Sequence, residues 1–194
     1  YTLTLNGATI TAPIKVGLAN LIFDIQGNNT ITTSETCIQK MENTNPSLTF
    51  KSTSDIVGSL NLKNDNGGIF SDDLYGKITI NEEFAMILQY YDKIYSNTYY
   101  LTNGMTYEVK LAPSYGVTVG GMQIYEGNAA DVIGEGIGDG VQGGMVSFDK
   151  ETSTLTLNNA QLSGIIRSSL PNLTIDLVGN NSIYSGGDRI LQAG

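Results

Sequence analysis

TLTLNGATITAPIKVGLANLIFDIQGNNTI, residues 2–31, returns 152 residues later as TLTLNNAQLSGIIRSSLPNLTIDLVGNNSI, residues 154–183. Carried on to Ile38 and Ile190, the two stretches align without a gap over 37 positions, 16 of them identical. Average composition gives about 2 or 3 identities by chance. The chain therefore contains an internal duplication, the sequence mark of a repeat architecture.

Within the first copy the apolar residues come in short alternating bursts: Leu3 and Leu5, then Leu21, Phe23 and Ile25, then Leu48 and Phe50, then Leu60 and Leu62. A period of two over three to five residues specifies strands, and no stretch of ten sustains a helical period. Gly and Asn separate the bursts at Asn6-Gly7, Gly27-Asn28-Asn29 and Asn64-Asp65-Asn66-Gly67-Gly68. These residue types adopt the positive φ of sharp corners at low cost.

Leu3 to Leu21 spans 18 residues and Leu21 to Leu48 spans 27, with Ile10, Ile14, Ile31 and Ile38 as further apolar stops. Such spacings match one coil of a parallel β-helix with two or three short strands. The expected fold is all-β: right-handed parallel β-helix (solenoid) units with antiparallel hairpin strands between them. Inward Leu, Ile and Val would form columns, and corner side chains would hydrogen-bond between coils. Asn28, Asn29, Asn180 and Asn181 are the candidates for those bonds. An antiparallel sandwich or barrel, which also uses short strands and Gly-rich turns, is the alternative.

The duplication divides the chain into residues 1–112, a repeat unit lacking its start with following antiparallel strands, and residues 113–194, a second unit incomplete at its C-terminus. The first copy runs on through SLTFKSTSDIVGSLNLKNDNGGIF, residues 47–70, whereas the second stops at Gly194. The second is led in by GMVSFDKETSTLTL, whereas the first starts bare at Tyr1. A native protein extending beyond both ends is the expectation. So is a second copy that leans on the first, because two coils alone can hardly bury a core.

Residues 75–123 read as antiparallel strands with one wet face: KITI, FAMIL, a tyrosine-rich stretch, and MTYEVKL. In the last, Met105, Tyr107, Val109 and Leu111 alternate with Thr106, Glu108 and Lys110. Asn103-Gly104 is a two-residue hairpin signal, and VSFDKETSTLTL reads as a hairpin turning at Asp149-Lys150.

Of the 194 residues, 15% are charged, against about 25% in an average chain. The 10 basic and 19 acidic residues leave a net charge of -9, which argues against nucleic acid as a partner. With no histidine, Ser-His-Asp, Cys-His and H-E-x-x-H chemistries are excluded. A single thiol, Cys37, makes neither an internal disulfide nor a zinc finger and reads as a small core residue. No run approaches the roughly 18 apolar residues of a transmembrane segment.

YGVTVGGMQI (residues 115–124), GMVSFDKETSTLTLNNAQLSG (144–164) and NLTIDLVGNNSI (172–183) resemble the carbohydrate-binding, right-handed parallel β-helix domains of bacterial cell-surface proteins. The resemblance covers about two thirds of the chain, and residues 75–111 fit it poorly. It implies an extracellular or cell-wall location, binding of acidic or plant-type polysaccharide, and in some members calcium. It brings no catalytic motif onto numbered positions.

Asp131, Glu135 and Asp139 lie in the glycine-rich DVIGEGIGDGVQGG. Carboxylates on such a backbone could supply oxygen ligands to calcium, which takes six to eight. Their four-residue spacing departs from the alternate-residue pattern of a calcium loop, and a solvated connection is the simpler reading. Gly138 to Gly143 also spells a formal G-x-G-x-x-G, but a strand, MVSF, follows where a dinucleotide fold needs a helix.

Seven of the 11 tyrosines fall between positions 90 and 115: Tyr90, Tyr91, Tyr95, Tyr99, Tyr100, Tyr107 and Tyr115. An aromatic face with a polar tip suits sugar-ring stacking. Half-buried strands also favour tyrosine with no ligand involved. The first five are the candidate ligand-binding residues.

Asp72-Asp73 and Glu82-Glu83 are sequence neighbours that would point opposite ways in a strand, so no convergent acid pair is evident. Lys15 and Asp24 recur as Arg167 and Asp176, which suggests charges paired between coils. The function expected is a non-catalytic extracellular polysaccharide-binding module of a bacterial surface protein, its partner a polysaccharide or cell-surface glycan. A structural stalk or adhesin repeat contacting host or cell-wall protein is the alternative, followed by a polysaccharide lyase or hydrolase.

Overall fold

The computed structural model describes residues 1–66, 68–74, 76–90, 93–95, 106–132, 141–186 and 191–193. Its regular structure is nearly all β, forming a β-solenoid of about six turns with parallel stacking. The chain divides into two compact units, Tyr1–Pro113 and Ser114–Gly194. Among the described residues no helix is long and apolar enough to cross a membrane.

In the first unit one coil is β1 (Thr2–Asn6), β2 (Thr9–Ile10) and β3 (Ile14–Val16). The next is β4 (Leu21–Gln26), β5 (Asn28–Thr33) and β6 (Ile38–Lys40). The third is β7 (Leu48–Lys51) and β8 (Ser59–Asn64), with Phe70 bridging to Ile38 where a third strand would lie. Each strand pairs in parallel with its counterpart one coil on: β1 with β4, β4 with β7, β2 with β5, β5 with β8, and β3 with β6.

The register shows why the bursts alternate. Leu3 stands opposite Phe23, and Phe23 opposite Phe50, while Ile31 stands opposite Leu62. Phe23, Ile25, Ile31, Phe50, Leu60 and Leu62 are all fully buried. Phe23 and Phe50 stack with ring centroids 4.9 Å apart, and Phe70 meets Phe50 edge-on at 6.0 Å. Each such side chain contributes about 1.5–3 kcal/mol by leaving water. The first coil step pairs Leu3 with Phe23, not with Leu21 as the spacing of the bursts suggested.

Gly7 and Gly27 turn the corners after β1 and β4 at φ 63° and 61°. The second copy places Asn159 and Gly179 there, at φ 49° and 70°. Asn is the side-chain-bearing residue that tolerates this region best. The duplicated corners thus keep one backbone geometry.

After β8 the chain makes a 3-10 turn, Asp72–Leu74, and a fourth rung, β9 (Ile78–Ile80), which pairs in parallel with β7. ITI therefore belongs to the solenoid and not to the antiparallel group in which its position had put it. The antiparallel strands begin afterwards, with β10 (Phe84–Tyr90), β11 (Lys93–Tyr95) and β12 (Thr106–Val119). Residues 106–113 of β12 lie antiparallel between β8 and β10, so that β12 occupies the β8 edge where a fourth parallel rung would otherwise go. An occupied edge is no longer a template for another chain.

The second unit comprises the rest of β12, β13 (Met122–Tyr125), β14 (Val141–Asp149), β15 (Thr154–Ser163), β16 (Ile166–Ser168), β17 (Thr174–Val178), β18 (Ser182–Tyr184) and β19 (Leu191–Ala193). VSFDKETSTLTL does form the hairpin β14–β15, closed by an Asp149 side chain that accepts from the Glu151 N–H at 2.9 Å and the Thr152 hydroxyl at 2.9 Å. β15 covers the positions of both β1 and β2, and its parallel partners repeat the first copy's register: Thr154 opposite Thr174, as Thr2 is opposite Ile22. At the third strand the register slips by one, Ile166 facing Leu191.

This unit has its own buried cluster, including Val117, Val119, Ile124, Val146, Phe148, Leu155, Leu157 and Leu162. The two coils do not bury this core by themselves. Strands β12, β13 and β14 supply the apolar side chains that further coils supply in the first unit.

Candidate functional site

Of the tyrosines selected from the sequence, Tyr90 ends β10 opposite Lys93, and Tyr95 ends β11 opposite Leu88. The side chains of Tyr90 and Tyr95, and all of Tyr91, Tyr99 and Tyr100, lie outside the described residues, as does the Asn103-Gly104 turn. Tyr115 is half-buried, its ring 5.9 Å from Phe148 and 5.9 Å from the Lys150 ammonium. That contact belongs to the packing of the second unit.

Asp131 is exposed beside the buried Val132, and Glu135 and Asp139 lie outside the described residues. Among the described residues no three His, Cys, Asp or Glu side chains come together in a way that could hold a metal ion. The Asp72-Asp73 and Glu82-Glu83 pairs are not in strands. Asp73 pairs with Lys40 at 3.2 Å, and Glu83 accepts the Ser52 N–H at 2.9 Å.

The Asn positions do join coils, Asn29 and Asn181 by bonding the main chain and Asn28 by a side-chain bond. Asn29 is 2% exposed. Its Oδ1 accepts the Ala8 N–H of the coil below at 2.8 Å, and its Nδ2 donates to the carbonyls of Gln26, Gly27 and, in the coil above, Ser59. Asn181 repeats the lower half of this arrangement, accepting from the Ala160 N–H at 2.7 Å and donating to the Val178 carbonyl at 3.0 Å. Asn28 Oδ1 accepts the Ser59 hydroxyl at 2.8 Å, and the Asn180 N–H donates to Asn159 Oδ1 at 3.1 Å.

Asp24 is 3% exposed and has no described contact with Lys15. Its carboxylate accepts from Thr53, Gln26 and Thr4. Burial raises its pKa, and the bonds from Thr53, Gln26 and Thr4 outweigh this, so the group lies below the ordinary carboxyl value. The expected charge pairing of Lys15 with Asp24 is therefore corrected to a hydroxyl-and-amide clasp. Cys37 is fully buried, its thiol donating to the Lys63 carbonyl at 3.3 Å, and burial pushes its pKa up to about 11. It is a core residue, as the sequence indicated.

What the structure brings together is the outer face of β5, β8 and β12 in the first unit. Alternation sends Ile31, Leu62 and Val109 inward, so their neighbours point out. Thr30, Asn61 and Lys110 form one cross-strand row, and Thr32, Lys63 and Glu108 the next. Thr32, Lys63 and Lys110 are exposed, the other three half-buried. Strands about 4.8 Å apart and side chains about 6.7 Å apart along each strand make this a regular grid of hydroxyl, amide and charged groups. Asn61 Oδ1 is shielded and has no hydrogen-bond partner among the described residues.

Sequence reasoning missed this face because its members come from strands separated by long intervals, and only the register aligns them. The signal was present in the polar half of the alternation, T-x-T, N-x-K and E-x-K. No protein-family model, no curated protein sequence and no solved structure matches the chain.

Proposed function

We propose that this chain is a non-catalytic, extracellular polysaccharide-binding module of a bacterial surface protein, which lays a long glycan across a solenoid face. The observation that carries the reading is the grid of Thr30, Thr32, Asn61, Lys63, Glu108 and Lys110. A glycan presents hydroxyls along an extended line, and rows of donors and acceptors held at strand spacing match such a line. Lys110, exposed, and Lys63, exposed and 3.9 Å from Asp65, favour a glycan that carries carboxylates. The absence of histidine from the sequence also suits binding without turnover.

Native gels cast with acidic and neutral polysaccharides test this, one set with calcium and one with chelator. Retardation in an acidic polysaccharide that Lys63→Ala with Lys110→Ala abolishes is the expected result. Loss of retardation with chelator would bring in Asp131, Glu135 and Asp139. Uniform migration in every gel would sink the reading and leave the stalk or adhesin repeat.

A further inference from the structure

Four side chains on the outer face of the first unit make one cell of the β8–β12 pairing. Lys63 stands opposite Glu108, and Asn61 opposite Lys110. Around the corners run a cation, an anion, a cation and an amide. Lys63 and Lys110 share a diagonal, about 8 Å long at the spacing of pleated strands. Glu108 is one strand from Lys63 and two residues from Lys110, so it neighbours both ammonium groups.

The flanking positions of the same rows, Thr30 and Thr32 on β5 and Ile87 and Gln89 on β10, add no charge. Lys63 is also 3.9 Å from Asp65, but both side chains are at least half exposed. Such a pair is weak in water and leaves the ammonium open to a second partner. Glu108 is half-buried and makes no ion pair or hydrogen bond among the described residues. Its charge is therefore uncompensated by direct contact, and it opposes any second carboxylate brought beside it.

Taking the glycan-binding reading of this face as its basis, we propose that the cell selects glycans in which carboxylate-bearing and uncharged sugars alternate, and that Glu108 is the residue that rejects a carboxylate on every sugar. Two carboxylates of an alternating chain meet Lys63 and Lys110, and the uncharged sugar between them lies over Glu108. A hydroxyl of that sugar donates to the Glu108 carboxylate, a charge-assisted bond. Asn61 Oδ1, shielded and without a partner among the described residues, is a further acceptor for it once the amide turns outward. A contiguous polyuronate engages the two lysines only by setting another carboxylate against Glu108. Selectivity here comes from a repulsive group as much as from the attractive ones.

The test is fluorescence anisotropy of two end-labelled oligosaccharides of equal length, titrated with the full chain at one fixed salt concentration. One is from hyaluronan, which alternates glucuronate with an uncharged sugar, and the other from polygalacturonate, charged at every sugar. Wild type is expected to bind the hyaluronan probe at least threefold tighter. Glu108→Gln, which keeps the shape of the side chain, should narrow that ratio at least threefold, chiefly by tightening polygalacturonate, with an unchanged circular-dichroism spectrum. Glu126→Gln, the same charge change at an exposed position of the second unit, should leave the ratio as it was. Binding of both probes with no preference for hyaluronan, or a ratio that Glu108→Gln leaves unchanged or that Glu126→Gln moves as far, would overturn the selectivity and leave the glycan-binding reading standing. Binding of neither probe, by wild type or by Glu108→Gln, would sink both.

Discussion

Thr53 donates twice to Asp24 across one coil step, its N–H to Oδ1 and its hydroxyl to Oδ2, each at 2.8 Å. The corner after β7 is thus tied to the face of β4 by a carboxylate below its ordinary value of 3.8. Asp149, bonded by Thr152 and Glu151 in the exposed hairpin turn, is shifted the same way. A depressed carboxyl stabilises the fold above the unfolded-state value and loses that contribution as pH falls through 3.8 toward the folded-state value. Asp24→Ala is expected to cost about 1–3 kcal/mol near neutral pH, the gap to wild type narrowing below about pH 4. Urea midpoints down the acid range check this, and a gap that ignores pH would contradict it.

Asn29 and Asn181 hold the same place in the two copies but differ in burial. Asn29 makes bonds to Ala8, Gln26, Gly27 and Ser59, and its loss would orphan several buried groups. Asn29→Ala is expected to cost about 3 kcal/mol or more, and Asn181→Ala about 1 kcal/mol. Equal losses in denaturant titration would mean that the Ser59 bond and the covering coil contribute little.

Gly58 and Gly76 separate two reasons for glycine. At Gly58 an added Cβ meets the Gly27 oxygen at 2.5 Å, whereas at Gly76, φ 71°, it meets nothing. Gly76→Ala is expected to cost about 1 kcal/mol from left-handed backbone alone, and Gly58→Ala more, about 3 kcal/mol, because two coils must part. The order of the two melting temperatures decides the matter.

Cys37, fully buried with its pKa near 11, should resist thiol reagents in the native state. Labelling at about pH 8 is expected to follow unfolding, accelerating as denaturant is raised. Stoichiometric labelling within seconds in buffer would show that the region around β6 opens locally.

Much of this fold is legible in the chain because a solenoid repeats its local rules. Leu-x-Leu and Leu-x-Phe mark inward positions, and Asn-Gly and Gly-Asn mark corners. Ile78–Ile80 was misplaced because three residues cannot distinguish a parallel rung from an antiparallel strand, and only pairing with β7 settles it. Thr53 as the partner of Asp24 was invisible because 29 residues separate them and the corner between has no period. The polar grid depends on register in the same way, and the tyrosines and carboxylates first selected fall largely outside the described residues.

Corresponding residues lie 20 apart between β1 and β4, 27 apart between β4 and β7, and 30 apart between β7 and β9, yet the rungs stay in register. The surplus is expelled at the corners, as where Ile56 stands 82% exposed between β7 and β8. An insertion beside Ile56 can therefore lengthen a coil without disturbing the stack, since the corners carry the surplus while the rungs keep their register. A foreign epitope grafted there would be displayed on a scaffold that leaves its sequence unconstrained.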